Sequence, residues 1–189
     1  MPNTFFDLIE DSNLKFSDIK QYCTKKSVKS HEILLNEGDV ANACFIVEKG
    51  ILRLWNNYEG KDITVQFFFE GQGVSSFESL YLNEPSKFSI DALEDSNVYV
   101  LNKANLNLLI TQYPEIENLI TKQIAHRFIA YTNYFLSRIK DKPEDRYKAL
   151  IQVEGDNMRR VPDHYIASYL GITSVSLSRI KKRIYDSKR

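Results

Sequence analysis

The residues best suited to specific chemistry lie near the C-terminus, in the run TSVSLSRIKKR at positions 173–183. Short hydroxyl side chains stand there among cations, a composition that suits phosphates and base edges better than an apolar partner. The predicted DNA-binding residues are Thr173, Ser174, Val175, Ser176, Ser178, Arg179, Lys182 and Arg183. Among them, Arg179 could read a guanine through O6 and N7, and Lys182 and Arg183 are expected to contact phosphates.

The charge distribution supports a polyanionic partner for this part of the chain. The whole chain is neutral, but the segment from Arg138 to the end holds 13 Lys/Arg against 7 Asp/Glu. Such asymmetry between two parts of a protein suggests that they have different partners. A merely solvated, lysine-rich end is the alternative that charge alone leaves open.

Histidine and cysteine, the commonest metal ligands and nucleophiles, do not form a site in this sequence. The three histidines His31, His126 and His164 fall in three different predicted elements, and none has metal-type spacing. Cys23 and Cys44 form no redox motif, and an iron–sulfur cluster needs about four cysteines. We therefore predict no metal, no cofactor and no enzymatic activity; a metal-dependent barrel enzyme, the alternative, would need clustered ligands.

The DNA-reading residues require a tight helical corner to present them. Pro162 and Asp163 are typical of a helix start, and Gly171 is typical of a helix end that adopts the left-handed conformation. Thr173 can cap the next helix, whose inner face would use Leu177 and Ile180. The pattern predicts a helix-turn-helix within a C-terminal domain at residues 141–189.

A long amphipathic helix is predicted immediately before this domain, at residues 114–140. Its apolar residues recur at spacings of three and four, and the helix would be too long for a small barrel to cover. We therefore predict a homodimer whose interface contains Ile120, Ile124, Phe128, Tyr131 and Phe135. A single internal core helix is the alternative, and Pro143 marks the boundary after it.

Glycines at turn-like positions divide the preceding part of the chain. Gly38, Gly50, Gly60 and Gly71 are spaced by 12, 10 and 11 residues, and apolar residues alternate between them. This pattern predicts an antiparallel β-roll in a sensor domain at residues 1–113, with a helical stretch over residues 4–26 packed outside it. The predicted fold class is thus α+β.

The sequence has no basic, apolar leader at its start and no run of the ~18 apolar residues that a membrane span needs. The expected setting is cytoplasmic, without a membrane partner.

The order of β-roll, long helix and helix-turn-helix resembles the Crp/Fnr family of bacterial transcription regulators. The resemblance covers nearly the whole chain, and its most specific parts are NEGD…FIVEKGILRL, NEPSKFSIDALED and IASYLGITSVSLSRIKK. It implies a double-stranded β-helix like that of cyclic-nucleotide-binding domains, a homodimer, a small-molecule effector and binding to promoter DNA.

Two departures from the family pattern matter. The family's cassette uses a Glu for the ribose and an Arg for the cyclic phosphate. The candidate effector pocket here has Phe77 and Ser86 at those positions, with Glu78 and Lys87 one residue away. Without the guanidinium, bidentate phosphate recognition is lost, so we expect no cyclic AMP binding.

The second departure lies in the recognition helix, where the family pattern of Arg, Glu and a later Arg becomes Ser174, Val175 and Arg179. The half-site should therefore differ from the familiar GTGA-like one. Two alternatives remain open. One is a cyclic-nucleotide-responsive regulator with an altered loop that uses Lys87 and Glu78, and the other is a β-roll regulatory module that does not bind DNA.

Overall fold

The computed structural model describes Ile9 and residues 14–186 of the 189-residue chain. Its helices, in chain order, are α1 Phe16–Lys20, α2 Phe77–Leu82, α3 Lys103–Gln112, α4 Glu115–Lys140, α5 Pro143–Glu154, a 3-10 turn Gly155–Arg159, α6 Asp163–Leu170 and α7 Ser174–Asp186. None of the helices in this part of the chain combines the length and the apolar character that crossing a membrane requires.

Eight strands form the predicted antiparallel β-roll. They are β1 Thr24–Val28, β2 Ile33–Leu35, β3 Ala43–Lys49, β4 Leu52–Tyr58, β5 Lys61–Phe68, β6 Gly73–Val74, β7 Ser89–Ala92 and β8 Ser96–Asn102. They make two four-stranded sheets in the orders β1-β8-β3-β6 and β2-β7-β4-β5. The inward side chains of both sheets, such as Val47, Leu52, Ile90 and Val98, form one buried core.

The turn between β3 and β4 explains one of the glycines. Gly50 has φ +106°, and a Cβ added to it would lie 2.1 Å from the hydroxyl oxygen of Ser96. Both the backbone conformation and the close approach of β8 therefore require glycine at this position. The prediction of turns at the regularly spaced glycines is confirmed here, since β3 and β4 are in different sheets and the chain must cross between them.

The prediction of a helix over residues 4–26 is wrong at its C-terminal end. Helix α1 ends at Lys20, and Thr24–Val28 instead forms β1, which pairs with β8 in antiparallel register. The edge of β8 supplies backbone hydrogen bonds, and Val28 is buried in the roll core, so tertiary pairing outweighs local helical preference. The rest of that prediction, at residues 4–8 and 10–13, lies outside the described residues.

The long helix α4 presents different surfaces along its length. Its first turns pack against α1 and α3, with Ile116 and Leu119 buried in a shared cluster. Farther along, Phe128, Phe135 and Ile139 are exposed. The backbone at Asp141 is extended, and Pro143 occupies the first turn of α5, where its missing N–H costs no hydrogen bond.

The C-terminal helices pack on the outside of the β-roll. Phe67 and Phe69 of the β5 region contact a second core whose C-terminal members include Ile166, Leu170 and Leu177. Helix α6 therefore lies against the roll while also packing on α7. This apolar contact fixes where the last two helices sit relative to the β-roll.

Candidate functional site

The start of α7 is built as the sequence predicted. The Thr173 hydroxyl accepts a hydrogen bond from the Ser176 backbone N–H at 3.1 Å, which satisfies one of the free donors at the helix start. Thr173 and Ser176 also share a hydrogen bond between their hydroxyls. Leu177 and Ile180 are buried beneath the helix, so its opposite side faces outward.

Seven of the eight predicted DNA-binding residues fall into two groups at this helix. Ser174, Val175, Ser178, Arg179 and Lys182 are exposed, and they form one continuous outward face. Thr173 and Ser176 lie at the edge of that face and also serve the helix start.

Arg183 differs from the other predicted phosphate contacts because it already has an acidic partner. Its Nη2 lies 3.2 Å from the Glu144 carboxylate on α5. Lys181 likewise pairs with Asp163 on α6. The cations closest to the neighbouring helices therefore stabilise the packing of α7, and Arg179 and Lys182 remain the main outward cations.

Side chains from α4 and α5 hold the corner between α6 and α7. Gly171 adopts φ +66°, the left-handed conformation that ends α6. The Tyr134 hydroxyl donates to the Tyr169 carbonyl, and Arg138 contacts the same carbonyl at 3.4 Å. Arg146 donates to the Leu170 carbonyl at 3.0 Å. Cations thus meet the negative end of the α6 dipole, which is favourable and ties the corner to α4 and α5.

The four residues of the candidate effector pocket do not converge on one point. Phe77 is exposed and stacks on Tyr81, with ring centroids 5.8 Å apart. Lys87 forms an exposed ion pair with Glu78 at 2.7 Å. That pairing raises the pKa of Lys87, since the Glu78 carboxylate stabilises its ammonium form.

Ser86, in contrast, is buried and its hydroxyl is fully engaged. It lies 2.8 Å from the Ser76 hydroxyl, donates to the Phe88 carbonyl at 2.7 Å and accepts from the Phe88 N–H at 3.0 Å. The position that the family gives to its phosphate-binding arginine is therefore part of the internal hydrogen bonding of the loop.

Three arginines with internal partners, Arg53 buried and Arg127 and Arg146 partly buried, escaped the sequence-based prediction. Arg127 on α4 donates to the Gly73 carbonyl, and its guanidinium lies 4.8 Å from the Phe68 ring centroid. Arg53 joins β4 to β7 through the Asp91 carboxylate, and Arg146 joins α5 to the end of α6 through the Leu170 carbonyl. The available signal was a cation within an otherwise apolar pattern, as at Arg127 between Ile124 and Tyr131.

Arg53 connects the roll to α6. Its guanidinium forms a bidentate pair with Asp91, at 3.0 and 2.8 Å, and is only 2% exposed. The same group lies 4.0 Å from the Tyr165 ring centroid and 4.7 Å from that of Trp55. A strand of the β-roll and helix α6 therefore share one buried cation.

Two further polar contacts join the same surfaces. The Thr64 N–H donates to the Ser168 hydroxyl at 2.9 Å, and that hydroxyl donates to the Asp62 carbonyl at 2.6 Å. Arg160 pairs with Glu70 and Glu94 of the roll. Burial raises the pKa of Glu70, but the hydrogen bonds from Arg160 and from the Gly50 N–H outweigh it and bring the pKa to about 2.

The described residues contain no group of three or more His, Cys, Asp or Glu side chains that could hold a metal ion. His126 lies on α4 and His164 on α6, in different elements as the sequence indicated.

Comparison with known proteins agrees with this architecture. The family model of the cyclic nucleotide-binding domain matches residues 25–113. No curated protein sequence matches the chain.

Solved structures match over most of the chain at low sequence identity. A CooA mutant from Carboxydothermus hydrogenoformans has a TM-score of 0.77 at 15% identity, covering 99% of this chain and 86% of that one. FixK2 from Bradyrhizobium japonicum has a TM-score of 0.75 at 18% identity, covering 88% and 86%. The c-di-GMP-responsive regulator CLP of Xanthomonas campestris has a TM-score of 0.72 at 13% identity, covering 92% and 91%.

These similarities extend from the β-roll through the long helix to the last two helices, and they confirm the fold that the sequence resemblance implied. Residues 25–113 are similar to the cyclic nucleotide-binding domain, and the chain as a whole shares its fold with CooA, FixK2 and CLP.

Proposed function

We propose that this protein is a sequence-specific, DNA-binding transcription regulator of the Crp/Fnr type, and not an enzyme. The observation that carries the proposal is the outward face of α7, where Arg179 and Lys182 stand exposed among hydroxyl side chains above a buried inner face. A helix of this composition, presented at a helix-turn-helix corner, suits the major groove of DNA.

The proposed division of labour on α7 follows from position. Arg179 lies in the N-terminal half of the helix, where side chains reach base edges, and Val175 beside it can contact a thymine methyl. Lys182 lies closer to the C-terminal end and would contact a phosphate. Arg183 would contribute less than Lys182, since Glu144 already neutralises part of its charge.

Random-site selection followed by salt titration tests this division. Arg179→Ala should cost ~1–3 kcal/mol per half-site and relax the preference at one base pair. Lys182→Ala should weaken binding to all sequences about equally and lower the salt slope by roughly one unit. Lys29→Ala, an equal charge change on an exposed lysine of the roll, is the matched control and should change neither quantity.

The outcome also discriminates between the classes of function. A β-roll module that does not bind DNA would enrich no sequence and would show no binding to nonspecific duplex at low salt. A selected motif that changes with Lys182→Ala but not with Arg179→Ala would contradict the assigned reading face.

We further propose that the regulator acts as a homodimer through the outward face of α4. Ile124, Phe128, Phe135 and Ile139 are exposed along this face, and Phe128 is 71% exposed. Large apolar side chains in a continuous row are unusual on the surface of a monomer. Of the other two residues predicted for the interface, Ile120 packs partly against the α1–α3 cluster, and Tyr131 remains 40% exposed while its hydroxyl donates to Gln66 at 3.0 Å.

The roll is proposed to respond to a signal other than cyclic AMP. Ser86 is committed to hydrogen bonds within its own loop, and Lys87 is exposed and paired with Glu78, so the loop offers no buried guanidinium to a phosphate. The similarity of residues 25–113 to the cyclic nucleotide-binding domain supports one alternative, in which Lys87 and Glu78 separate and bind a nucleotide. Calorimetry with cyclic AMP and cyclic GMP decides: a micromolar or tighter dissociation constant would establish the alternative.

A further inference from the structure

Two cations near the end of α7 have carboxylate partners, but they differ in how accessible they remain. Lys181 pairs with Asp163 at the start of α6, and its side chain is 34% exposed. Arg183 pairs with Glu144 of α5, yet its side chain is 65% exposed. Arg183 therefore has both an internal partner and access to an outside one.

Arg183 lies beside the proposed DNA-reading face of α7. Arg179, Lys182 and Arg183 occupy positions i, i+3 and i+4 of one helix, and side chains at these spacings are neighbours on the helix surface. All three residues are exposed. The DNA backbone that Lys182 is proposed to contact would therefore pass close to Arg183.

Glu144 places a carboxylate at the edge of this surface. Its Oε1 lies 2.9 Å from the Nζ of Lys148, one turn farther along α5, and its Oε2 lies 3.2 Å from the Nη2 of Arg183. The hydrogen bond from Lys148 lowers the pKa of Glu144, and the positive charges of Lys148, Arg183 and Lys142 lower it further. Glu144 is therefore ionised at neutral pH, and two cations share its carboxylate.

A carboxylate and a phosphate compete for the same guanidinium. Both are anions whose oxygens accept hydrogen bonds from the N–H groups of an arginine. An exposed ion pair is held weakly because water screens it, so Arg183 can exchange one anion for the other. Glu144 keeps Lys148 as a partner after such an exchange, so the carboxylate is not left unpaired.

We propose that Glu144 is an internal competitor of DNA for Arg183, and that it lowers the affinity of the protein for the DNA backbone. In the free protein the carboxylate neutralises Arg183. In the complex a phosphate replaces it, and Arg183 becomes a further backbone contact beside Lys182. The inference rests on the proposed function, since it concerns the same helix.

The salt dependence of binding distinguishes this competition from a simple change of net charge. A phosphate contact normally releases a salt ion from the DNA, and each such contact steepens the salt slope by roughly one unit. In the wild type, the anion that leaves Arg183 is Glu144, which belongs to the protein and which the phosphate must displace. The contact of Arg183 therefore adds little to the salt slope until the charge of Glu144 is removed.

Salt titrations of the full chain with a nonspecific duplex test the proposal. Glu144→Gln keeps the shape of the side chain and removes its charge, so it should strengthen binding about five- to tenfold at about 50 mM salt and steepen the slope by roughly one unit. Asp145→Asn is the matched control, because it removes the same charge from the next, exposed residue in the first turn of α5. It should change the affinity less than about twofold and leave the slope unchanged. Equal effects of the two variants would overturn the proposal.

A double-mutant cycle assigns the effect to Arg183. Arg183→Ala should lower the salt slope by roughly one unit in the Glu144→Gln background and by much less in the wild type. Lys182→Ala should lower the slope by the same amount in both backgrounds. Equal effects of Arg183→Ala in the two backgrounds would contradict the competition.

Urea unfolding and the same titrations separate the remaining outcomes. If the ion pair serves only to pack α5 against α7, Glu144→Gln should lower the unfolding midpoint and leave the DNA affinity unchanged, and that result would refute the proposal. If Lys182→Ala weakens binding while Glu144→Gln behaves like Asp145→Asn, only the role of Glu144 is refuted. If neither the wild type nor any variant binds duplex DNA at low salt, the transcription-regulator function falls as well.

Discussion

Replacing Arg53 should destabilise the protein more than replacing any exposed cation. The guanidinium is 2% exposed, and its partner Asp91 is 5% exposed, so both charges are buried. Arg53→Met would leave the Asp91 carboxylate without its bidentate partner, and Asp62 at 3.3 Å would lose the same cation. Breaking a buried pair from one side costs about 3–5 kcal/mol, chiefly because one charge stays buried without compensation.

The contacts with Trp55 and Tyr165 add a second effect to the same substitution. A cation over an aromatic face is worth ~0.5–2 kcal/mol. The loss of these two contacts is therefore part of the about 3–5 kcal/mol expected for Arg53→Met. Tyr165 lies on α6, and Arg53 lies on the roll, so part of the loss concerns the contact between these two parts. Methionine keeps the apolar length of the side chain, which limits the volume change.

Equilibrium unfolding in urea measures the effect, and two controls define its cause. The double variant Arg53→Met/Asp91→Leu should recover most of the lost stability, because it removes the uncompensated charge. Lys87→Met breaks the exposed pair with Glu78 and should change the free energy of unfolding far less, because solvent screens that pair. If Arg53→Met costs as little as Lys87→Met, or if the double variant is no more stable than the single one, the buried pair does not stabilise the fold as argued.

Three further results are expected. Light scattering should give the wild type twice the 22.0 kDa mass of one chain, and Phe128→Asp should give a monomer or an aggregate, whereas Tyr81→Asp, at another exposed aromatic, should remain a dimer. Gly171→Ala should cost about 1–2 kcal/mol in urea unfolding from its left-handed φ, and it should also weaken DNA binding because the new Cβ displaces the Arg138 guanidinium. Burial raises the pKa of Glu154 from 4.5 to about 7, so between these pH values the folded state holds a proton that the unfolded state loses. The melting temperature should therefore fall as the pH rises from 4.5 to about 7, and Glu154→Gln should abolish this fall.

Each of these expectations can fail separately. A wild-type mass of 22.0 kDa at micromolar concentration would contradict the dimer. Gly60→Ala shares the positive φ but has open space around the new Cβ, so equal DNA binding by both glycine variants would confirm that the Arg138 contact is unimportant. An unchanged pH profile in Glu154→Gln would show that another group causes the decline.

The elements whose pattern is local were predictable from the sequence. Alternating apolar residues between spaced glycines predicted the strands, and Gly171 with Thr173 predicted the corner and the capped start of α7, because turn and cap chemistry act within a few residues. The strand at Thr24–Val28 was missed because its stability comes from β8, about 70 residues away in the chain.

Side-chain roles that depend on distant partners were not predictable in the same way. Tyr131 has the spacing of an interface residue, yet its hydroxyl contacts Gln66 in the roll. Arg53 has the position of an ordinary strand residue, yet its partners Asp91 and Tyr165 come from a later strand and from α6. Periodicity identifies which face of an element a residue occupies, but it does not identify the surface that will meet that face.

These distant contacts define how a signal could reach α7, the proposed DNA-reading helix. The α6–α7 corner receives Tyr134 and Arg138 from the long helix and Arg146 from α5, and all three reach the last carbonyls of α6. A shift of α4 relative to the roll, such as a partner chain on its outward face could cause, must therefore move or break these hydrogen bonds. Since interfaces of this kind have discrete packed arrangements rather than a continuum, such a shift would change the orientation of α7 in a step.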